Sequence, residues 1–132
     1  MDCPACGAPT VAFTVPPDLR EYLPGEESGA ALCTRCLRLH PTGVPDDSSG
    51  APPDFSQVSD AFPEGEAAVP MALLVGLLDS LAQYRAEITA LLERVERAGT
   101  DPFLVVDRLA DDSDVDAAAD LPRRRHQLEQ LL

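Results

Sequence analysis

Four cysteines in two closely spaced pairs constrain this chain more than any other feature. Cys3 and Cys6 form the first pair, Cys33 and Cys36 form the second, and 26 residues lie between the pairs. Two residues between paired cysteines allow one tight turn to direct both sulfurs at the same ion, about 2.3 Å away for zinc. The spacing therefore predicts a four-thiolate metal site built from these four cysteines.

Zinc is the ion that this pattern favours, and iron is the serious alternative. A Cys-Pro-x-Cys-Gly turn, as at residues 3–7, also occurs in rubredoxin-like iron sites, but the chain has no Trp and only 5% aromatic residues. A redox-active pair would need one C-x-x-C on a βαβ pattern, and disulfides do not suit a cytoplasmic chain. His40 lies four residues after Cys36. Because four thiolates are already present, we expect His40 to be exposed at a strand end rather than to bind the ion.

The residues around the cysteines are typical of a small β zinc ribbon. Residues 10–15 alternate so that Val11, Phe13 and Val15 share one face, and short apolar stretches enter and leave the second cysteine pair. Gly7 can adopt the positive φ that a metal-binding turn tends to need, whereas Leu37 follows the second pair and predicts a less regular turn there. A module of about forty residues buries too little apolar surface to fold without its ion.

Composition divides the chain into three zones. Residues 1–42 contain all four cysteines and form the predicted ribbon, residues 43–65 are rich in Pro, Gly, Ser and Asp, and residues 66–132 hold most of the leucines. The middle zone predicts a linker that begins as an extended segment, since its composition cannot bury a core. Its last part holds three apolar residues spaced as on one face of a helix: Phe55, Val58 and Phe62. They predict one short helix that docks on a neighbouring element.

The third zone predicts helices, so that with the ribbon the fold class is α+β. Apolar residues recur at alternating intervals of three and four, as along the seam of a coiled coil: Leu74, Leu77, Leu81, Tyr84, Ile88, Leu91 and Val95. This pattern predicts one long helix over about residues 68–98, roughly 46 Å in length and closed by Gly99. Two shorter helices are predicted at about 102–110 and 121–132, each preceded by an Asp that can cap it.

The apolar seam has two candidate partners. The shorter helices can fold back on the long helix as a small bundle, two copies of the chain can share the seam as a homodimer, or both can hold at once. The sequence leaves both arrangements open. The longest strongly apolar stretch, residues 69–78, is about half the length that a bilayer requires, so no membrane span is predicted.

The charge of the chain limits its environment and its partners. It contains ten Arg, no Lys and 23 acidic residues, which gives a formal net charge of −13. Arg without Lys among many carboxylates is typical of proteins in the salt-rich cytoplasm of halophiles. The N-terminus lacks the features of a signal peptide, so a cytoplasmic location is expected. The one basic run is Arg123–Arg125, and its alternative role is contact with nucleic acid or an acidic partner. We expect it instead to pair with the acidic residues that precede it: Asp111, Asp112, Asp114, Asp116 and Asp120.

Motif and composition together resemble a known group of proteins. Cys3-Pro4-Ala5-Cys6-Gly7, joined to Cys33-x-x-Cys36 in a short acidic chain without Lys, is similar to the small CPxCG-related zinc-finger proteins of haloarchaea. Further stretches look like one uncharacterised family within that group: Phe13-x-Val15-Pro16, Leu19-Arg20-Glu21-Tyr22, Cys33-Thr34-x-Cys36-Leu37 and Arg123-Arg124-Arg125-His126-Gln127-Leu128-Glu129. The resemblance implies a zinc site on the four cysteines. It implies no reaction, because such proteins are generally regarded as binding or regulatory modules.

The residues favour a protein that is not an enzyme. Four cysteine thiolates would fill every position around the ion and leave none for water or substrate, and no Ser/His/Asp or Cys/His set remains. We expect a protein-interaction or regulatory adaptor with a protein partner, in which the ribbon and the seam present separate surfaces. The alternative is a nucleic-acid-binding ribbon that uses Arg35 and Arg38, which the acidic balance of residues 1–44 does not favour.

Overall fold

A computed structural model of the chain describes residues 2–23, 29–42 and 54–131. Within these ranges, a three-stranded antiparallel sheet is followed by four α-helices, so the fold is α+β as predicted. The strands lie side by side in chain order: β1 (Thr10–Thr14), β2 (Gly29–Cys33) and β3 (Leu39–Thr42). The helices follow: α1 (Ala68–Leu77), α2 (Arg85–Arg97), α3 (Pro102–Asp111) and α4 (Leu121–Glu129).

The sheet forms from the alternating pattern predicted for β1. Val11 lies opposite Leu32 and Phe13 lies opposite Ala30 in the β1–β2 pair, while Leu32 lies opposite Leu39 in the β2–β3 pair. Val11 and Phe13 of β1 are buried, and the residues that alternate with them are not. β2 lies between the other two strands, and all five of its residues are buried. One face of the sheet is therefore available to pack under the helices.

Among the described residues, a large apolar core joins the sheet to the helices. It contains Val11, Phe13 and Leu32 of the sheet together with buried side chains from all four helices. At Gly76 of α1, an added Cβ atom would lie only 2.4 Å from the Cβ of Leu39. This position requires glycine because α1 lies directly against β3. The ribbon and the helices therefore pack together as one folded unit.

The prediction of one long helix over residues 68–98 is wrong. The chain instead forms α1, a 3-10 turn at Leu78–Ser80, a further turn, and then α2. The carbonyl of Ser80 accepts hydrogen bonds from the backbone N–H groups of Gln83 and Tyr84, at 3.0 and 3.1 Å. Asp79 and Ser80 fall in this turn, and both residue types disfavour a continuous helix because they have lower helix propensity than leucine or alanine. A hairpin also packs the apolar stripes of α1 and α2 against each other while α1 contacts the small sheet, which a straight helix of the predicted length would outreach.

The residues of the predicted seam are buried within the chain itself. Tyr84 is half-buried, and the other six are at most 6% exposed: Leu74, Leu77, Leu81, Ile88, Leu91 and Val95. α1 and α2 pack against each other, and α2 also contacts α3. The small-bundle arrangement thus accounts for the seam. A homodimer stays a prediction, and this face is not free to form it.

The two shorter helices are confirmed near their predicted bounds. Asp101 caps α3 by accepting a hydrogen bond from the N–H of Phe103, and Asp120 caps α4 in the same way. Gly99 follows α2 with a φ of 94°, as its predicted capping role requires. Among the described residues, no helix has both the length and the apolar character that crossing a bilayer demands.

The predicted linker contains a docked segment. Its residues 43–53 lie outside the described residues, so the expected extended segment lies there too. The part that follows forms a 3-10 turn, Phe55–Gln57, and its three apolar residues are all buried. The Phe55 ring lies 5.3 Å from that of Phe13 and 5.1 Å from that of Phe62, measured between centroids. The predicted docking is therefore confirmed, although the segment is a 3-10 turn rather than an α-helix.

Candidate metal centre

The four predicted cysteines meet at one end of the sheet. Their Sγ atoms all lie within 4.8 Å of one another. The Sγ atoms of Cys3 and Cys36 are 3.7 Å apart, and those of Cys6 and Cys33 are 3.4 Å apart. All four are free thiols, since a disulfide would bring two sulfurs to about 2.05 Å. The structure thus brings together every cysteine that the spacing selected.

The arrangement of the sulfurs fits one tetrahedral metal ion. Four sulfurs placed about 2.3 Å from such an ion would be separated from one another by about 3.8 Å. Both short distances lie near this value, and each joins a cysteine of the first pair to one of the second. Cys6 is exposed, and the other three cysteines are buried. The cluster can therefore hold an ion such as zinc between the two pairs, largely shielded from solvent.

Two backbone turns of the same type direct the sulfurs inward. We name them the first knuckle, residues 3–8, and the second knuckle, residues 33–38. In each, the N–H of the first cysteine donates a hydrogen bond to the carbonyl five residues later, at 2.8 Å in the first knuckle and 2.9 Å in the second. The sequence therefore builds the same local geometry twice, once before β1 and once between β2 and β3.

The residue after each cysteine pair has a left-handed backbone. Gly7 has a φ of 80° and Leu37 has a φ of 62°, so the expectation of a less regular second turn is wrong. A residue with a Cβ atom loses roughly 1–2 kcal/mol in this conformation. The Leu37 side chain is 4% exposed and belongs to the apolar core. Burial of this side chain offsets the strain of its backbone.

Backbone N–H groups also surround the buried sulfurs. The Sγ of Cys33 accepts hydrogen bonds from the N–H groups of Arg35 and Cys36, both at 3.4 Å. In the first knuckle, the backbone N–H groups of Cys6 and Ala5 act on the Sγ of Cys3 and lower the pKa of its thiol. Such donors stabilise thiolate anions, the form in which cysteine binds metal ions.

The electrostatics of the cluster differ from one thiol to the next. Burial disfavours ionisation of Cys3, but hydrogen bonds from its knuckle and the nearby His40 and Cys36 side chains lower its pKa to about 6. Burial raises the pKa of Cys33 and raises that of Cys36 to about 12. The four thiols therefore cannot all ionise easily by themselves. A divalent cation resolves this conflict, because a thiol that coordinates it is deprotonated outright.

The second knuckle is tied to the loop between α3 and α4. The N–H of Asp116 donates a hydrogen bond to the carbonyl of Arg35 at 2.8 Å, and the N–H of Ala118 donates one to the carbonyl of Cys36 at 2.9 Å. Backbone groups near the C-terminal helix thus complete the surroundings of a turn near the start of the chain. No side-chain pattern in the sequence indicates these two bonds.

The expectation of an exposed His40 is wrong. This residue is half-buried in β3 rather than exposed, and its Nε2 is 3.4 Å from the Sγ of Cys3. In the sheet it lies opposite Ala31, which is two residues before Cys33 and on the same face. The alternation of β2 and β3 is the signal that could have located His40 beside the cysteines.

The basic run at the start of α4 makes contacts within the chain. Arg125 forms ion pairs with Asp107, at 2.8 Å, and with Glu129, and its guanidinium lies 5.5 Å from the centroid of the Phe103 ring. Pairing of this run with acidic residues is therefore confirmed for Arg125. The partners are not the predicted aspartates of the preceding loop.

Nearly the whole chain matches one protein family. Residues 2–132 match DUF6276, which is described as a family of unknown function. The chain belongs to this family. No curated protein and no solved structure matches the chain. An uncharacterised family that covers the chain, as the resemblance implied, is thus confirmed, and membership in DUF6276 assigns no reaction.

Proposed function

We propose that the chain is a noncatalytic zinc-binding protein that acts as a protein-interaction or regulatory adaptor. The observation that carries this proposal is the clustering of four cysteine Sγ atoms within 4.8 Å, with three of the four cysteines buried. Catalytic zinc keeps one position for water or substrate, whereas four cysteine ligands complete the shell of a structural site. Iron also suits four thiolates, so it is the alternative ion for the same residues.

The position of the cluster supports a role in shaping a surface. The cluster lies at one end of the sheet, beside the α3–α4 loop. The hydrogen bonds from Asp116 and Ala118 hold that loop on the second knuckle. An ion bound there would fix the relative positions of these segments. A rigid surface assembled from distant parts of the chain is what a protein partner can recognise.

The surface beside the second knuckle favours a protein partner over nucleic acid. A groove of about 420 Å³ beside Arg35 is also lined by three carboxylates: Asp60, Asp112 and Asp114. These carboxylates would repel a phosphate that approached the guanidinium. The same groups suit a partner that presents basic or mixed polar side chains.

Nucleic-acid binding is the second candidate function. Arg35 and Arg38 are both exposed on the second knuckle, and neither forms an ion pair within the described ranges. At a salt concentration of 1 M the Debye length is about 3 Å, so the net charge of −13 repels nucleic acid less than in dilute buffer. Stacking or backbone hydrogen bonds would then have to supply the affinity.

We also propose that the protein works in the cytoplasm of a halophile. The support is compositional, namely ten Arg, no Lys and 23 acidic residues. Hydrated carboxylates keep such a chain dispersed in concentrated salt. Binding experiments therefore need to be made in concentrated salt as well as in dilute buffer.

The first test of the proposed function measures the bound ion. The full chain is purified and its zinc and iron contents are determined by elemental analysis, beside a Cys33→Ser variant and a His126→Gln control. We expect one zinc per chain for the wild type and the control, and a large loss for Cys33→Ser. A wild-type chain that takes up neither ion would contradict the proposal.

The second test identifies the partner. The tagged full chain and the Cys33→Ser variant are recovered from the source organism in native salt, with and without nuclease. A stoichiometric protein that survives nuclease and requires intact Cys33 supports the adaptor function. Nucleic acid that is recovered, with protein lost on digestion, supports the second candidate. A compact monomer in solution scattering, with no partner in either condition, would contradict the adaptor function.

A further inference from the structure

The contact between His40 and Cys3 joins a side chain outside the cysteine cluster to one of its sulfurs. Nε2 of His40 lies 3.4 Å from Sγ of Cys3, a normal length for a hydrogen bond to sulfur. Leu39 faces the helices, so the next residue of β3 points to the opposite side of the sheet, where Cys33 also lies. The sheet register therefore holds His40 in place beside the cluster.

The negative charge of the metal-bound cluster explains how this contact can stabilise it. Four thiolates around a divalent cation carry a net charge of about −2, and Cys3, Cys33 and Cys36 are buried. Hydrogen bonds donated to the sulfurs spread this charge and fix the direction of each ligand. Each knuckle supplies backbone donors to its own first cysteine. Among the described residues, His40 is the only side chain outside the cluster that is bonded to one of the four sulfurs.

We infer that His40 is a positioning residue of the metal centre, which donates its Nε2–H to Sγ of Cys3 and does not itself bind the ion. A thiolate can only accept a hydrogen bond, so this contact fixes the proton on Nε2. Four sulfurs suffice for the complete tetrahedral shell of the ion, and His40 is not among the residues whose ligand atoms all lie within 4.8 Å of one another. This inference rests on the proposed binding of zinc.

The competing arrangement is a site in which His40 binds the ion directly. Cys6 is the exposed member of the cluster and would be the ligand to leave. The ion would then have three sulfur ligands and one nitrogen ligand. Cobalt(II) distinguishes the two arrangements, because the intensity of its thiolate charge-transfer absorption depends on the number of bound thiolates.

The experiment compares two substitutions at His40 in the full chain. His40→Phe keeps a planar ring but removes the donor, while His40→Gln supplies an amide N–H in its place. His126→Gln is the matched control, since His126 is the only other histidine and is exposed on α4. Zinc affinity is measured by competition with a chelator, and each protein is also titrated with cobalt(II).

We expect His40→Phe to bind zinc about 10–100 times more weakly than the wild type, the range found for outer-shell partners of metal ligands. His40→Gln should lose less affinity, and His126→Gln should lose none. All four proteins should show the charge-transfer intensity of four thiolates. Circular dichroism of the zinc-loaded proteins checks that both His40 variants keep the fold.

Three results would overturn the inference. Unchanged zinc affinity of His40→Phe would show that the contact does not support Cys3. An equal loss in both variants would show that the donor is not what matters. A wild-type cobalt(II) spectrum with only three thiolates would make His40 a ligand. A wild-type chain that binds neither zinc nor cobalt(II) would instead contradict the proposed function itself, so the two failures are distinguishable.

Discussion

The two knuckles share one backbone design and differ in everything around it. Each closes with a hydrogen bond from its first cysteine to the carbonyl five residues later, and each places a left-handed residue after its second cysteine. In the first knuckle that residue is Gly7, with nothing within 4 Å of the place where a Cβ atom would lie. In the second it is Leu37, which is buried in the core.

This difference shows how one local motif can serve two purposes. The first knuckle contributes sulfurs and little else, and its Cys6 is exposed. The second continues from the central strand, carries a core residue, and receives hydrogen bonds from the α3–α4 loop. We therefore expect that damage to the second knuckle spreads through the molecule, whereas damage to the first stays local.

Removal of the ion should have the largest effect on stability, and it should affect both knuckles. Apparent binding free energies of structural zinc are about 10–16 kcal/mol in small zinc-dependent domains, so chelation should disorder both knuckles. The amides of Asp116 and Ala118, which bond to the second knuckle, should lose protection in hydrogen exchange. The amide of Leu91 in the buried part of α2 should keep more of its protection. Equal loss at all three amides would show that the whole chain unfolds as one unit.

The next largest effect on stability should come from loss of a single sulfur, and it should differ between the two knuckles. Cys33 is fully buried, and its Sγ accepts two backbone hydrogen bonds, whereas Cys6 is exposed. We expect Cys33→Ser to lower the melting temperature of the zinc-loaded chain more than Cys6→Ser does, because it disturbs the central strand as well as the ion. Thermal unfolding followed by circular dichroism measures both. The same loss in each variant would remove the proposed difference between the knuckles.

The two left-handed residues should respond to substitution in different ways. Leu37→Gly removes a strain of roughly 1–2 kcal/mol but also a buried side chain whose truncation costs about 2–5 kcal/mol. The expected net loss of stability is the difference between these two ranges, about 0–4 kcal/mol. Gly7→Ala adds a Cβ atom in open space, so only the backbone conformation opposes it, at about 1 kcal/mol. Chemical denaturation of the zinc-loaded proteins measures both values, and a more stable Leu37→Gly would show that strain outweighs burial.

The smallest effect on stability should come from the ion pair between Arg94 and Asp18, which lies just after β1. Arg94 of α2 lies 2.7 Å from Asp18, and this hydrogen bond holds the pKa of the Asp18 carboxyl below its usual value. Its contribution to stability is therefore complete above the ordinary aspartate pKa of about 3.9 and is lost as the pH falls through the lowered value. Asp18→Asn should cause a slight destabilisation that is constant between pH 6 and pH 8 and shrinks as salt is added. A loss as large as that of Leu37→Gly would contradict this ranking.

Features that repeat along the chain could be predicted from the sequence, because local chemistry determines them. The C-x-x-C spacing located all four sulfurs, the alternation after Pro9 predicted β1, and the Asp and Pro before the short helices predicted their first residues. The long helix failed for a physical reason. Residues at intervals of three and four form one stripe on a straight helix, and they form two facing stripes when the chain turns back, so the pattern alone does not distinguish the two.

Contacts between distant segments could not be predicted. The bonds from Asp116 and Ala118 join backbone groups, and backbone groups are the same in every residue. The left-handed backbone of Leu37 could not be predicted, because burial of its side chain offsets the unfavourable φ and that burial depends on the completed core. His40 required the register of β2 against β3, which follows from the length and path of the second knuckle.

The loop between α3 and α4 also has a consequence for how the chain is made. During synthesis both cysteine pairs are available as soon as Cys36 has left the ribosome, so the ion can be captured early. The carbonyls of Arg35 and Cys36, however, receive their donors only when residues 116–118 arrive. Ion capture would fix the acceptors before the donors appear and so reduce the conformational search that closing so long a loop requires. The metal centre is then the first part of the molecule to begin folding and among the last to be completed.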